Sequence, residues 1–357
     1  MKTSISILLA FLFVACTSVP DERMMSYSDF PETRELTAWT LPLDTALFRY
    51  PYRVRVQDDK AVVLDLHGTE HFFHVFHYPD FHYLSSFGKR GDAPEEMLSA
   101  ENLRWNGDFL WILDSNKSEL TRLGFASSGD SLLHQEVVSL DEELLRALDF
   151  VQYNDSTFII PDYSGDSRFC LVNRQGKLLR KIGTIPTANE DALKNARPAL
   201  AQAWRSFIDY NPRNGVLVAA TQLGEVLEIY NLKDSTYIVC VGPNGEPEFQ
   251  IAQGYGIPTG IMGFSDIQVT DSAIYVVFQG RKFKDIQQKA QQGINLPDGG
   301  QYIYVFGLKG EPLRKYVLDH YIHGISVNEQ KGVIIATDVN KDEPMIEYRM
   351  NGMQSDN

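Results

Sequence analysis

The chain has 357 residues, 43% of them hydrophobic and 22% charged, so it is long enough to bury a substantial core and too hydrophobic for a disordered chain. Its formal net charge is −14, and Lys and Arg are scattered rather than striped, which excludes a protein built to hold a nucleic-acid phosphate backbone. Aromatic content is high, with 17 Tyr, 20 Phe and 4 Trp, as suits packed β-sheets.

In chain order, the first element is a basic residue, Lys2, followed by an apolar run from Ile5 to Val14. That run is too short to span a bilayer and reads as an export signal over residues 1–15. Phe13-Val-Ala-Cys16 closes it and resembles the bacterial lipobox, which implies lipidation of Cys16 and membrane association through that lipid. Thr17 follows, without the aspartate that retains enterobacterial lipoproteins at the inner membrane. An outer-membrane lipoprotein, on the periplasmic or cell-surface side, is therefore expected. Residues 16–35 are polar and aperiodic and are expected to form a flexible tether. The domain is then residues 36–357. It opens with Leu36–Leu41, a short alternating strand without a partner nearby, expected to pair beside Met345–Met350 and close the last sheet.

From Val54 onward one pattern recurs: an apolar strand, a polar turn, a second apolar strand, and often a closing acid or threonine. Copies begin at Val54, Leu103, Phe150, Phe207, Ile267 and Ile325. Repeats spaced by roughly 40 to 60 residues without helical periodicity predict propeller blades. The fold class is all-β, a six-bladed β-propeller with four-stranded blades. In the third blade the strands are expected near 150–153, 158–160, 169–173 and 178–183. His67, His71, His74, His77 and His82 crowd the first blade, but strand alternation puts His74 opposite His71 and His77, so no metal site is expected. Asp65, Asp114, Asp162 and Asp338 close second strands, where they suit capping of backbone N–H groups better than paired acid–base chemistry. Cys170 and Cys240 lie in apolar runs and read as separate core thiols.

The connection Phe87-Gly-Lys-Arg-Gly-Asp-Ala-Pro-Glu-Glu96, the related Val241–Phe249, and the Leu110–Asp114 run resemble the TolB-like and NHL-like six-bladed propellers common among Bacteroidetes lipoproteins. The resemblance spans about residues 36 to 350 and speaks to fold rather than function, since propellers host many activities. Helix-forming segments at 187–204 and 141–148 and an insertion at 281–300 belong to connections that emerge on one face, which marks that face for binding.

Residues opening each innermost strand, Arg53, Asn102, Asp149, Arg205, Asp266 and His323, are expected to face the central channel and hold a polar or anionic ligand, with Trp204 beside Arg205 supplying an aromatic face. No nucleophile elbow, zinc-binding helix motif, phosphate loop or dinucleotide fingerprint is present. The first expectation is a non-enzymatic binding or interaction propeller for a glycan, peptide or envelope protein. The alternative is a metal-dependent hydrolase or lyase using channel carboxylates such as Asp149 and Asp266. No cofactor is expected under the first reading, and calcium is the ion the second would need.

Overall fold

The computed structural model describes residues 21–43, 48–126 and 132–350; the export signal and Cys16 lie outside them. Six sheets surround a channel. Blade 1 runs through Pro51–Gln57, Lys60–Asp65, His71–His77 and Tyr83–Lys89, and blade 2 through Ala100–Asn106, Phe109–Asp114, Glu119–Phe125 and Leu132–Ser139. Blade 3 is Val151–Asn154, Thr157–Pro161, Phe169–Asn173 and Leu178–Ile182, within about a residue of the expected strands at most ends. Blade 4 is Ser206–Asn211, Val216–Thr221, Val226–Asn231 and Thr236–Val241, and blade 5 is Phe264–Val269, Ala273–Phe278, Gly300–Gly307 and Pro312–Ile322. Blade 6 has Ile325–Asn328, Val333–Thr337 and Met345–Arg349 from the C-terminal end.

Second strands are covered on both faces by neighbouring blades, so they read as continuous apolar runs instead of alternating ones: every residue of Val216–Thr221 and of Ala273–Phe278 is buried. Each of the six blade–blade interfaces has its own hydrophobic cluster, including one between blades 6 and 1 where Ile335 and Met345 meet Val54 and Phe76. The ring is therefore closed by packing as well as by strand pairing.

The N-terminal segment laces three outer edges in succession. Strand β1 (Asp21–Ser26) adds in parallel to Thr236–Val241 of blade 4, β2 (Thr33–Leu36) adds in parallel to the outer strand of blade 5, and β3 (Trp39–Thr40) pairs antiparallel with Met345–Arg349. The expected closure of blade 6 is observed. The expectation of a flexible tether over residues 16–35 is corrected for its described part: β1 and β2 are strands, because the unpaired backbone groups of the two outer edges are satisfied by them. Phe30 wedges between blades 4 and 5 against Tyr304 and Phe306, and Tyr27 donates a 2.8 Å hydrogen bond to Glu225 Oε1.

The capping aspartates behave as their position implies. Asp114 accepts backbone N–H bonds from Leu98 and Ser99 at 2.7 and 3.2 Å, and Asp65 from Arg49 and Tyr50 at 2.9 and 2.6 Å, each tying the entering connection to its own blade. Cys170 and Cys240 are free thiols buried in different interfaces, blades 2/3 and 4/5, and burial pushes both up to about 12.

Candidate functional site

First strands begin at one end of the channel and the turns to second strands lie at the other. Helices α1 (Glu190–Asn195) and α2 (Arg197–Ala203), between blades 3 and 4, share the entry end with α3 (Phe283–Gln291), inserted between the second and third strands of blade 5. The 141–148 segment makes a turn, with Leu144 N donating to Asp141 O at 2.9 Å, and no helix. A hairpin, Phe249–Ala252 with Tyr255–Pro258, also occupies this end and lies on α2. Its Gly256 sits so close that a Cβ there would stand 2.5 Å from Ala199 O.

Strand alternation aims residues at i and i+2 into the channel, so Arg55 and Arg104 join Arg53 and Asn102 one step deeper. Arg55 grips Asp266 with two bonds of 2.9 and 2.8 Å, reaching from blade 1 past blade 6 to blade 5. Asp266 Oδ2 also accepts Ile325 N at 2.9 Å. Arg53 Nε stands 3.4 Å from Asp266 Oδ1, close enough for an ion pair but not aligned for a hydrogen bond. Burial works to raise the Asp266 carboxyl, but Arg53 and Arg55 outweigh it and hold it at about 2.

A second lattice is centred on Arg104. It pairs with Asp209 at 2.7 Å and Asp149 at 3.1 Å and donates to Phe150 O at 3.2 Å. Asn102 donates to Asp149 as well, and Asp149 Oδ2 accepts Ile208 N at 2.9 Å. Asp209 accepts Val269 N at 2.7 Å and is raised by burial against the opposing charge of Arg104. Of the residues expected to form an open ligand ring, Arg53, Asn102, Asp149 and Asp266 are therefore buried and committed to one another or to these partners. They fasten blades across the axis.

Trp204 requires the clearest correction. It caps the end of α2 and is fully buried among Leu200, Val226 and Val239, because as the helix's C-cap it packs with α2 onto the blade, while Arg205 lies over Tyr163. The aromatic ring beside Arg205 is Tyr163, whose centroid lies 5.7 Å from the guanidinium carbon. Among the described residues no carboxylate pairs with Arg205, and its Nε is buried without a hydrogen-bond partner. The Tyr163 hydroxyl and His323 Nδ1 are likewise buried and unpartnered. Burial raises the Tyr163 phenol well above its ordinary range, opposed by Arg205 and reinforced by Asp149 and Glu101. Tyr52 is pushed up to about 12, chiefly by burial, with Arg53 opposing and Asp266, Glu101 and Asp149 adding to it. At the mouth of the channel the Tyr52 ring lies 6.0 Å from that of Tyr50 and 5.1 Å from that of His323.

His323 sits at that mouth in a three-residue cluster: Tyr50 donates 2.5 Å to Asp298 Oδ2 and stands 3.1 Å from His323 Nε2, which is 3.2 Å from Asp298 Oδ1. Asp298 is held far below the usual carboxylate range, first by its bond to His323, against burial. It belongs to the insertion carrying α3, latched to blade 6 through Asn340 by bonds of 2.8 Å in each direction. Tyr50, Tyr163 and Asp298 lie in connections where no periodic pattern marks orientation, whereas Arg55, Arg104 and Asp209 were signalled by their two-residue spacing.

Among the described residues no group of three His, Cys, Asp or Glu side chains is placed to hold a metal ion. In blade 1, His74 Nδ1 bonds Ser86 Oγ at 2.7 Å and His77 Nδ1 bonds Asp80 at 2.8 Å.

Comparison with known proteins adds the frame. A family model described as TolB-like 6-blade propeller-like matches residues 29–330. No curated protein matches significantly. Among solved structures, a putative exported protein from Bacteroides fragilis is similar at TM-score 0.56 and 10% identity, covering 92% of this chain and 98% of that one. A member of the DUF4221 family from Bacteroides vulgatus has TM-score 0.51 and 10% identity, covering 88% and 95%. An auxiliary nutrient binding protein from Bacteroides ovatus has TM-score 0.53 and 9% identity, covering 85% of this chain and 70% of that one. At these identities the likeness is one of fold.

Proposed function

The chain belongs to the TolB-like family of six-bladed propellers, and from that frame we propose that it is an exported, non-enzymatic binding protein whose α-helix-decorated mouth captures a carboxylate-bearing saccharide. The observation that carries this reading is Arg205. Its neighbours Arg53, Arg55 and Arg104 each meet a carboxylate, while Arg205 meets none and lies over the Tyr163 ring. An unpaired guanidinium beside an aromatic face offers a bidentate bond to a carboxylate and a stacking surface to a sugar ring. The unpartnered Tyr163 hydroxyl and His323 Nδ1 supply further bonds at the same mouth. The similarity to an auxiliary nutrient binding protein supports ligand capture as a use of this fold in a related setting.

The metal-dependent hydrolase or lyase is the weaker reading, because Asp149 and Asp266 would have to leave arginines before serving an ion or a reacting atom. On that basis calcium leaves the unfolding midpoint unchanged, whereas a rise in midpoint reversed by chelator would restore the enzyme reading. Lipidation of Cys16 at the outer membrane completes the proposal. Replacing Cys16 by Ser should release the protein from the membrane fraction, and continued membrane association would reject the anchor.

The site itself is tested by Arg205→Ala. Uronic-acid binding should weaken by at least about tenfold, as for loss of a charged anchor, with the melting temperature nearly unchanged. A large stability loss with no change in binding would make Arg205 a packing residue.

A further inference from the structure

At the opposite end of the channel, the turns between first and second strands of blades 2, 3 and 4 part to leave a cleft of about 280 Å³. Three half-buried aromatic residues wall it: Trp105, Tyr153 and Tyr210. The Tyr153 and Tyr210 rings lie 5.7 Å apart at 57°, making an angled corner, and Trp105 is braced by Phe125, stacked at 5.9 Å and 20°. Planar amides line the space between. Asn106 donates to Gln152 Oε1, and Gln152 Nε2 donates to Asn154 O at 3.1 Å, so the rim amides are positioned before any ligand arrives.

The charge inventory selects the ligand. Arg104 at the floor is spent on Asp209 and Asp149, and the remaining charged residue lining the cleft is the exposed acid Asp155. Nothing here offers a cation to an anion, and an apolar ligand would strip water from the amides without replacing their bonds. A neutral polyhydroxylated ring satisfies both walls, with its C–H face on the aromatic rings and its hydroxyl edge on the amides. The volume sits just below the lower limit of about 300 Å³ for small-molecule sites, which suits a single sugar ring.

We propose that this cleft is a second binding site, for a neutral saccharide, separate from the Arg205 mouth and independent of what that mouth binds. The test is saturation-transfer NMR on the folded protein with methyl β-glucoside, methyl β-galactoside, methyl α-mannoside and N-acetylglucosamine. At least one should receive saturation at millimolar concentration. The signal should fall at least about tenfold in Trp105→Ala, as for removal of an aromatic anchor, and stay unchanged in Arg205→Ala. Because Trp105→Ala disturbs the Phe125 stack, the double variant Asn106→Ala/Gln152→Ala, at an exposed and a half-buried rim amide, provides a second variant, expected to weaken the same signal. Absence of signal from all of these sugars, persistence in both cleft variants, or loss in Arg205→Ala would each overturn the proposal.

Discussion

A carboxylate held between two guanidiniums and a guanidinium with no carboxylate respond to mutation in opposite ways. Replacing Asp266 by Ala strands Arg53 and Arg55 in the channel without their acid, and breaking a buried pair in this way costs about 3–5 kcal/mol, to be read as a lowered denaturant midpoint. Replacing Arg205 removes a ring contact and no ion pair, so its cost should fall on binding. Acid separates the roles further. The folded Asp266 sits at about 2, below an unfolded value near 3.9, so its stabilisation is present above about pH 4 and fades as pH falls toward 2, amounting to about 2–3 kcal/mol. Asp209, raised by burial, shifts the other way: its protonation in acid favours the folded state and offsets part of that loss. Urea titrations at pH 7 and pH 3 should show a larger drop for the native protein than for Asp266→Asn. An equal drop would mean that the Asp266 pair is not what acid breaks. At this scale the sequence marked which positions open the inner strands, but not whom they meet. Spacing gives direction along a strand, while a partner such as Asp266 for Arg55 lies 211 residues away.

Elements carry the second set of consequences. The segment from β1 to β3 covers the outer edges of blades 4, 5 and 6, so a chain beginning at residue 42 would expose all three to pairing with other molecules. Such a chain should self-associate in light scattering and unfold earlier than one beginning at residue 17; a monomer of equal stability would show that the lacing is dispensable. The closing role of β3 was legible because Leu36–Leu41 alternates and lacks a local partner. The roles of β1 and β2 were not, because β1 is polar and finds its register only against the finished edge of blade 4. The two thiols make a simpler prediction. Cys170 and Cys240 face different interfaces, so both should resist thiol reagents in the native state and react once the protein is denatured. A disulfide in the folded protein would contradict the placement of the two strands.

For the whole molecule, the repeat of strand, polar turn and strand was sufficient to read six blades, because each blade must bury both faces of its second strand against its neighbours and leaves that need in its composition. The site was less legible for the same reason. Channel residues are polar in every blade whether they fasten the ring or face a ligand, and only the completed lattice of Arg55–Asp266 and Arg104–Asp149–Asp209 shows which charges are already spent. Trp204 illustrates the limit, since it neighbours Arg205 in sequence yet packs with α2 onto the blade. The central claim is that Arg205, unlike Arg53, Arg55 and Arg104, has no carboxylate partner among the described residues and is the anchor of the ligand. Calorimetric titration of glucuronate and galacturonate into the native protein and into Arg205→Ala tests it most directly. Binding by the native protein that weakens with salt and is lost in the variant is the predicted result. Equal affinity in both proteins, or no binding of either acid to the native one, would contradict it.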